Sequence, residues 1–258
     1  MPDGDGVSQG DGTVAVVTGA ARGIGAAVAL RLAAGRAAVV VVDRRESDTA
    51  GTVAAIRRAG GRALGIGCDV AVPAEVRTAV LRTAAAFGRI DVLVNCAGLT
   101  RDRLLLAMDD AEWDTVLDVS LGGTMRWSLA AAELMKRRGS GRIVTFSSVA
   151  AEGNPGQSNY ATAKAALAGF TRSLAAELGP HGITVNAVAP GFVATPMVDE
   201  LASRLGVDHE AFLKTAASRA AVGRVGTVED IAGVVAFLAG PDSGYLTGQT
   251  VSVDGGRR

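Results

Sequence analysis

Seven short runs of apolar, mostly β-branched residues recur along the chain, with longer helical patterns between them. Most runs are continuously apolar, which is typical of parallel strands covered on both faces. Strand and helix in alternation predict one doubly wound parallel sheet with helices on both sides. Strands are predicted at 14–18, 38–43, 63–68, 92–95, 142–146, 184–188 and 250–253, and helices at 24–34, 75–87, 113–136 and 160–178, among others.

The length of 258 residues fits one large α/β domain. Residues 1–12 are rich in Asp and Gly and are predicted to be a disordered tail, which leaves 13–258 as the domain. The N-terminus lacks the basic-then-apolar pattern of a signal peptide, and no apolar run reaches the roughly 18 residues of a membrane span. A cytoplasmic protein is therefore expected.

Charge and cysteine content argue against several classes of partner. Lys and Arg together number 26, as do Asp and Glu, so neither nucleic acid nor an anionic membrane is an expected partner. Cys68 and Cys96 have no second Cys or His at metal-ligand spacing. No metal site is predicted, and both thiols are interpreted as structural.

A glycine-rich turn joins the first predicted strand to the first helix, with the sequence TGAARGIG at 18–25. Its glycines permit a tight turn and a close approach of the backbone to a pyrophosphate, which the helix N-terminus attracts. Asp43 ends the second strand, where its carboxylate can accept hydrogen bonds from adenosine ribose hydroxyls. The pattern predicts a Rossmann-type dinucleotide site that includes Gly19, Arg22, Gly23, Ile24, Gly25 and Asp43.

The residues after the second strand give conflicting evidence on the cofactor. Asp43 would repel a 2′-phosphate and favours NAD(H), whereas Arg44 and Arg45, with Arg22 in the glycine turn, suit a 2′-phosphate. Arg44 and Arg45 are equally compatible with a solvated pair. The prediction is NAD(P)(H), with a slight preference for NAD(H).

Tyr160 and Lys164 are four residues apart and share one face of a predicted helix. An ammonium near a phenol favours the phenolate and so lowers the phenol's pKa. Ser148, at the end of the fifth strand, can donate a hydrogen bond to a substrate oxygen. The pair predicts acid–base chemistry on a carbonyl or alcohol, although a Tyr and a Lys at this spacing also occur by chance.

Together these features resemble the classical short-chain dehydrogenase/reductases over about residues 13–256. Besides the glycine turn and Ser148, Tyr160 and Lys164, the resemblance includes NCAG at 95–98, NAVAPG at 186–191 and the TGQ and VDGG segments near the C-terminus. AGLTRD at 97–102 and GNPGQSNY at 153–160 are most similar to the β-ketoacyl-[acyl carrier protein] reductases and polyketide ketoreductases.

The resemblance implies a role for each matching residue. Tyr160 would donate a proton to the carbonyl oxygen, Lys164 would hold the nicotinamide ribose and lower the Tyr160 pKa, and Ser148 would polarise the carbonyl. Asp69 would lie beside the adenine and Asn95 beside the adenosine ribose. The further cofactor contacts implied are Val70, Ala97, Gly98, Pro190, Gly191, Val193 and Thr195.

Two positions depart from the family pattern. Ser120 stands where the family usually has an Asn that supports a water in the proton relay, so the efficiency of a relay through Ser120 is in question. Ser148 precedes Tyr160 by 12 residues, one short of the common 13. Counting back from Tyr160 selects Ser147, whereas counting from the strand selects Ser148, and we follow the strand because loops absorb deletions.

Three further features concern substrate and partners. Residues 193–222 resemble the family's substrate lid, or form an ordinary helical hairpin. Arg137, Arg138 and His181 match positions where carrier-protein reductases meet an acidic acyl carrier protein, or are solvated charges. The helices at 113–136 and 160–178 resemble those that assemble family members, which predicts a homotetramer or homodimer.

The favoured function is NAD(P)H-dependent reduction of a carrier- or CoA-bound β-ketoacyl thioester, in synthesis of the fatty-acid or polyketide type. A dehydrogenase of a free secondary alcohol, sugar or steroid is the alternative, favoured by Asp43 and the long lid. Ser120 motivates a third hypothesis, a nucleotide-binding scaffold with weakened catalysis.

Overall fold

The computed structural model describes residues 12–195 and 208–257. Its strands are β1 Val14–Thr18, β2 Ala38–Asp43, β3 Ala63–Gly67, β4 Val92–Asn95, β5 Gly141–Phe146, β6 Ile183–Pro190 and β7 Thr250–Val253. Its α-helices are α1 Gly23–Ala34, α2 Ala50–Arg58, α3 Pro73–Phe87, α4 Asp110–Leu117, α5 Gly123–Arg138, α6 Ser158–Leu178, α7 His209–Ser218 and α8 Val228–Leu238.

The seven strands form one sheet in the order β3-β2-β1-β4-β5-β6-β7, and every neighbouring pair is parallel. This is the predicted doubly wound sheet. The strand order reverses between β1 and β4, and ligands bind such sheets beyond the carboxyl ends of the strands at that reversal. The functional site is therefore expected next to Thr18 and Asn95, the last residues of these two strands.

Side chains of successive strand residues point to opposite faces of the sheet and build two separate cores. In β1, Ala15 and Val17 pack in the core that α1 and α8 cover, whereas Val14 and Val16 pack in the core that α3 and α5 cover. Small residues on the covering helices allow this close packing on a valine-rich sheet. The result is a rigid sheet whose carboxyl edge can hold a site in fixed geometry.

The prediction of a single helix at 113–136 is wrong, because the structure divides this segment into two α-helices with a π-helical turn between them. α4 ends at Leu117, a π-helical turn follows over Asp118–Gly122, and α5 begins at Gly123. A wider turn of this kind is often found at functional sites, and here it contains Ser120. Leucine and glycine patterns do not distinguish such a turn from a regular helix.

The lid predicted at 193–222 is only partly within the described residues, since 196–207 lie outside them. Of the tail predicted at 1–12, residues 1–11 also lie outside them. The described part contains α7, and the Phe212 ring meets the Phe192 ring edge-on with centroids 6.0 Å apart. This contact ties α7 to the segment that follows β6. In the part of the chain that the structure describes, we find no helix long and apolar enough to cross a bilayer.

Candidate active site

The turn between β1 and α1 has a backbone that only glycine fits at two points. Gly19 has a φ of +65°, and a Cβ on it would lie 2.8 Å from the Cα of Ala97. A Cβ on Gly25 would lie 2.2 Å from the carbonyl oxygen of Gly19. Arg22, the N-cap residue of α1, does not cap the helix with its side chain, so the first N–H groups face the turn. The turn is therefore a cradle suited to a diphosphate.

Thr18 connects the ends of the two strands that flank the reversal. Its hydroxyl oxygen accepts hydrogen bonds from the backbone N–H groups of Cys96 and Ala97, both at 3.1 Å. This holds the glycine turn against the segment after β4. Sequence reasoning used Thr18 only as the start of a motif and missed this positioning role.

Asp43 lies at the end of β2 beside the glycine turn. Its carboxylate accepts the N–H of Ala21 at 3.0 Å and the N–H of Arg44 at 2.9 Å. These bonds fix the carboxylate beside the glycine turn. The Arg44 side chain is exposed, and Arg45 pairs with Asp48 at 3.0 Å.

A cleft of about 520 Å³ runs from the glycine turn to the start of α6. It brings together most of the residues selected from the sequence. The predicted residues that line it are Gly19, Arg22, Gly23, Ile24, Gly25, Ala97, Gly98, Ser148, Tyr160, Lys164, Pro190, Gly191, Val193 and Thr195.

Asp43, Arg44, Asp69, Val70, Asn95 and Ser120 do not line this cleft. Val70 is buried in the core beneath the sheet edge. Asn95 is also buried, and its amide donates to the Ser128 hydroxyl of α5 at 3.1 Å. The Asn95 side chain is thus directed under the sheet, away from the side of the cleft where the resemblance placed a ribose.

Tyr160 and Lys164 begin α6 on the face that borders the cleft. Burial raises the pKa of Tyr160 to about 12, and a hydrogen bond with Ser148 offsets only part of that rise. Burial lowers the pKa of Lys164 to about 8, and its ammonium donates to the carbonyl oxygen of Phe146. The pKa of Tyr160 rises because desolvation, with Cys96 and Asp102 acting in the same direction, outweighs the Ser148 hydrogen bond. A lowering of the Tyr160 pKa by Lys164 stays a prediction.

The two adjacent serines after β5 have different partners. Ser147 is buried, and its hydroxyl donates to the main-chain carbonyl of Lys164 at 2.8 Å. Ser148 is the serine whose hydroxyl meets Tyr160. The strand end, rather than the loop length, therefore determines which serine reaches the phenol.

Ser120 is fully buried in the π-helical turn. Its hydroxyl has no hydrogen-bond partner within residues 12–195 and 208–257, while its carbonyl accepts the Thr124 hydroxyl at 2.9 Å. A Cβ on Gly98 would lie 3.5 Å from both the Ser120 hydroxyl oxygen and Lys164 Nζ. The unpaired hydroxyl and the buried ammonium thus both lie beside Gly98.

Comparison with known proteins agrees with this geometry. A family model described as enoyl-(acyl carrier protein) reductase matches residues 19–258. The short-chain reductase protein NovJ of Streptomyces niveus is 70% identical over 245 residues, which cover 95% of this chain and 94% of NovJ. The chain belongs to the short-chain dehydrogenase/reductase family. It is therefore an oxidoreductase.

Two further matches extend across the same region. The 3-oxoacyl-[acyl-carrier-protein] reductase of Synechocystis sp. is 47% identical over 247 residues, covering 94% of this chain and 96% of the relative. The crystal structure of levodione reductase superposes with a TM-score of 0.91 at 32% identity, covering 95% and 97% of the two chains. The short-chain dehydrogenase/reductase fold thus accounts for nearly the whole molecule.

Several residues of this family member line the cleft without having been singled out from the sequence. Asp102, Gln157 and Asn154 form a chain in which the Gln157 amide donates to Asp102 at 3.0 Å and the Asn154 amide donates to Gln157 at 2.9 Å. These residues belong to the segments AGLTRD and GNPGQSNY, whose resemblance to the family could have identified them. Arg219 and Arg257 also line the cleft, and no sequence pattern marked them.

The basic residues considered for carrier docking lie at the other edge of the sheet. Arg137 and Arg138 end α5, and His181 ends the short turn before β6, so all three precede strands rather than follow them. Arg138 approaches Asp91 at 3.7 Å. Within one chain, this surface is opposite the cleft.

Proposed function

We propose that this oxidoreductase reduces the β-keto group of an acyl thioester to the β-hydroxyacyl form with a nicotinamide cofactor. The observation that carries the proposal is the single cleft that joins a diphosphate cradle to Ser148, Tyr160 and Lys164. The relatives named as 3-oxoacyl-[acyl-carrier-protein] reductases support the thioester class.

Each polar group at the catalytic end has a chemical role in this reaction. A bound nicotinamide supplies the hydride that reaches the carbonyl carbon. The hydroxyls of Ser148 and Tyr160 donate to the carbonyl oxygen, and the Tyr160 proton moves onto it. Because the pKa of Tyr160 is raised to about 12, the phenol is protonated at neutral pH, as a proton donor must be. The charged Lys164 stabilises the phenolate that remains.

The chain's own cofactor-side residues favour NADH over NADPH in this proposal. The Asp43 carboxylate is fixed beside the turn by two backbone N–H groups and adds a negative charge where a 2′-phosphate would lie. The exposed guanidinium of Arg44 would attract a 2′-phosphate and so favours NADPH. The preference is accordingly a modest one.

The deciding experiment measures initial rates with an acetoacetyl thioester and either NADH or NADPH, from the loss of reduced-nicotinamide absorbance. We expect turnover with both cofactors and a higher kcat/KM with NADH. No turnover with any β-ketoacyl thioester would rule out the proposed substrate class.

A second candidate is a dehydrogenase or reductase of a free carbonyl or alcohol, supported by the structural likeness to levodione reductase. It predicts that free alcohols or ketones give a higher kcat/KM than their thioester counterparts. A panel of free secondary alcohols assayed with NAD beside the thioester discriminates between the two.

We also propose that the protein assembles through α5 and α6. An open groove of about 790 Å³ at this face is lined by Leu117, Leu121, Met125 and Phe170. Leu129, one turn further along α5, is 60% exposed. We expect Leu129→Glu to reduce the mass seen in light scattering, whereas Leu81→Glu on α3 leaves it unchanged. Equal masses for both variants and the natural protein would exclude this face.

Two sequence predictions remain proposals about the same molecule. Residues 193–222 would cover the acyl substrate, and the Phe192–Phe212 contact supports such a cover by anchoring α7 next to the cleft. Arg137, Arg138 and His181 would meet an acidic carrier protein. Because these three lie opposite the cleft of their own chain, this docking requires that a neighbouring subunit receive the acyl arm.

A further inference from the structure

Two arginines line the cleft near its catalytic end. Arg219 follows α7, and Arg257 is in the C-terminal segment. An antiparallel bridge pairs Ala220 with Arg257, and the Val222 N–H donates to the Gly255 carbonyl at 3.1 Å. This backbone pairing joins the two segments, and both arginines line the cleft and a small pocket beside it.

The charges of this arginine pair are poorly neutralised by the described residues. The Arg219 side chain makes no hydrogen bond or ion pair with any of them. Arg257 donates to the Val149 carbonyl at 2.9 Å, and its nearest carboxylate is Glu152 at 3.4 Å. Glu152 is 78% exposed, so solvent screens this ion pair.

A neighbouring arginine on the same surface has its charge neutralised by a carboxylate. Arg224 donates to both carboxylate oxygens of Asp230, at 2.6 and 3.0 Å. Asp254, which lines the small pocket with both arginines, accepts the Gly256 N–H at 2.9 Å. Arg219 and Arg257 therefore keep guanidinium donors available for an external anion.

The position of the arginine pair indicates which anion it would meet. Val149, whose carbonyl Arg257 contacts, directly follows Ser148, and both arginines line a small pocket with Val149, so the pair lies beside the catalytic groups. The cofactor's diphosphate has its own cradle at the glycine turn, at the other end of the cleft. The anion that arrives at the acyl end belongs to the substrate.

We propose that Arg219 and Arg257 form an anion subsite that binds the phosphate of the substrate's phosphopantetheine arm. This inference rests on the proposed function, because carrier-bound and CoA-bound thioesters share that arm. Guanidinium groups bind phosphate in bidentate geometry, and a phosphate between two of them removes their mutual repulsion. The subsite selects acyl thioesters on phosphopantetheine over free ketones.

The test compares acetoacetyl-4′-phosphopantetheine with acetoacetyl-pantetheine, which differ only in the phosphate. We expect Arg219→Gln and Arg257→Gln each to lower kcat/KM for the phosphorylated substrate by roughly tenfold, mainly through KM, the size expected for a charge-assisted hydrogen bond. The pantetheine substrate should be unaffected. Arg77→Gln, which removes an exposed charge from α3, is the matched control and should change neither substrate.

A binding measurement separates failure of the subsite from failure of the proposed function. Isothermal titration with 4′-phosphopantetheine and with pantetheine does not require turnover, and the phosphate should strengthen binding in the natural protein but not in the double variant. Equal binding of the two compounds, or equal losses for both substrates in the variants, would overturn the subsite. Phosphate-dependent binding without turnover of either thioester would instead overturn the reductase assignment and retain the subsite.

Discussion

Lys164 Nζ lies 5.4 Å from the centre of the Tyr160 ring, one helical turn further along α6. Burial moves their pKa values apart, raising that of Tyr160 to about 12 and lowering that of Lys164 to about 8. At neutral pH the phenol keeps its proton and the ammonium its charge. The pair is thus arranged to give up a proton from Tyr160 and to stabilise the anion left behind.

Tyr160→Phe should abolish most of the reductase activity while leaving cofactor binding intact. Loss of a general acid lowers rates by about 10²–10⁴-fold. Tyr245→Phe is a matched control, since Tyr245 is the only other tyrosine and is fully exposed. Initial rates, with NADH binding followed by fluorescence, measure both effects. A Tyr160→Phe enzyme with a near-normal rate would show that another group donates the proton.

Substitution of the two adjacent serines, one at a time, should affect the rate in one case and the stability in the other. Ser148→Ala should reduce kcat by roughly 10²-fold, as expected for loss of an oxyanion-type donor, with little change in melting temperature. Ser147→Ala should lower the unfolding free energy by about 1 kcal/mol, because its hydrogen bond to the Lys164 carbonyl is lost, with a smaller effect on rate. Initial rates and denaturant unfolding of both variants check which serine is catalytic and which is structural. A large loss of rate in Ser147→Ala and a loss of stability in Ser148→Ala would reverse the two roles.

The sheet was predictable because its strands are continuous apolar runs, and six of the seven predicted strands have both boundaries within one residue of the structure. Ser148 was predictable for the same reason, since a strand end fixes its position. The π-helical turn was not predictable, because no residue type distinguishes one extra residue per turn in a helix. Arg219 and Arg257 were not predictable either, since a pairing between segments distant in sequence brings them together.

Stability should depend on pH through Lys164. Its folded-state pKa of about 8 lies below the ordinary 10.5, so folding disfavours the charged form. The unfolded chain binds more protons between these values, and stability should therefore rise with pH from about 8 to 10.5. Lys164→Met should remove this rise, which amounts to roughly 3 kcal/mol at most.

Denaturant unfolding at several pH values measures that difference. The exposed Lys136→Met on α5 is the control and should keep the rise. The same pH slope in Lys164→Met and the natural protein would show that Lys164 is not the group responsible.

Removing the unpaired hydroxyl of Ser120 should leave stability unchanged or raise it slightly, because no hydrogen bond to described residues is lost. If the hydroxyl serves Lys164 in proton transfer, Ser120→Ala lowers kcat and leaves cofactor affinity unaltered. Ser128→Ala is the contrasting variant. It should cost about 1–3 kcal/mol, because the buried Asn95 amide loses its acceptor. A loss of stability in Ser120→Ala as large as that in Ser128→Ala would mean that the Ser120 hydroxyl has a partner.

Asp43 should control which cofactor is preferred. Asp43→Ser removes one negative charge next to the glycine turn, and we expect the NADPH-to-NADH ratio of kcat/KM to rise by about tenfold or more, because a unit charge close to a phosphate is only partly screened. Some stability should also be lost, since the Ala21 N–H loses its carboxylate partner. Asp242→Ser, an exposed acid far along the chain, should leave the ratio unchanged. If the ratio stays constant in Asp43→Ser, then Arg44 and Arg22 rather than Asp43 determine how the enzyme treats the 2′-phosphate.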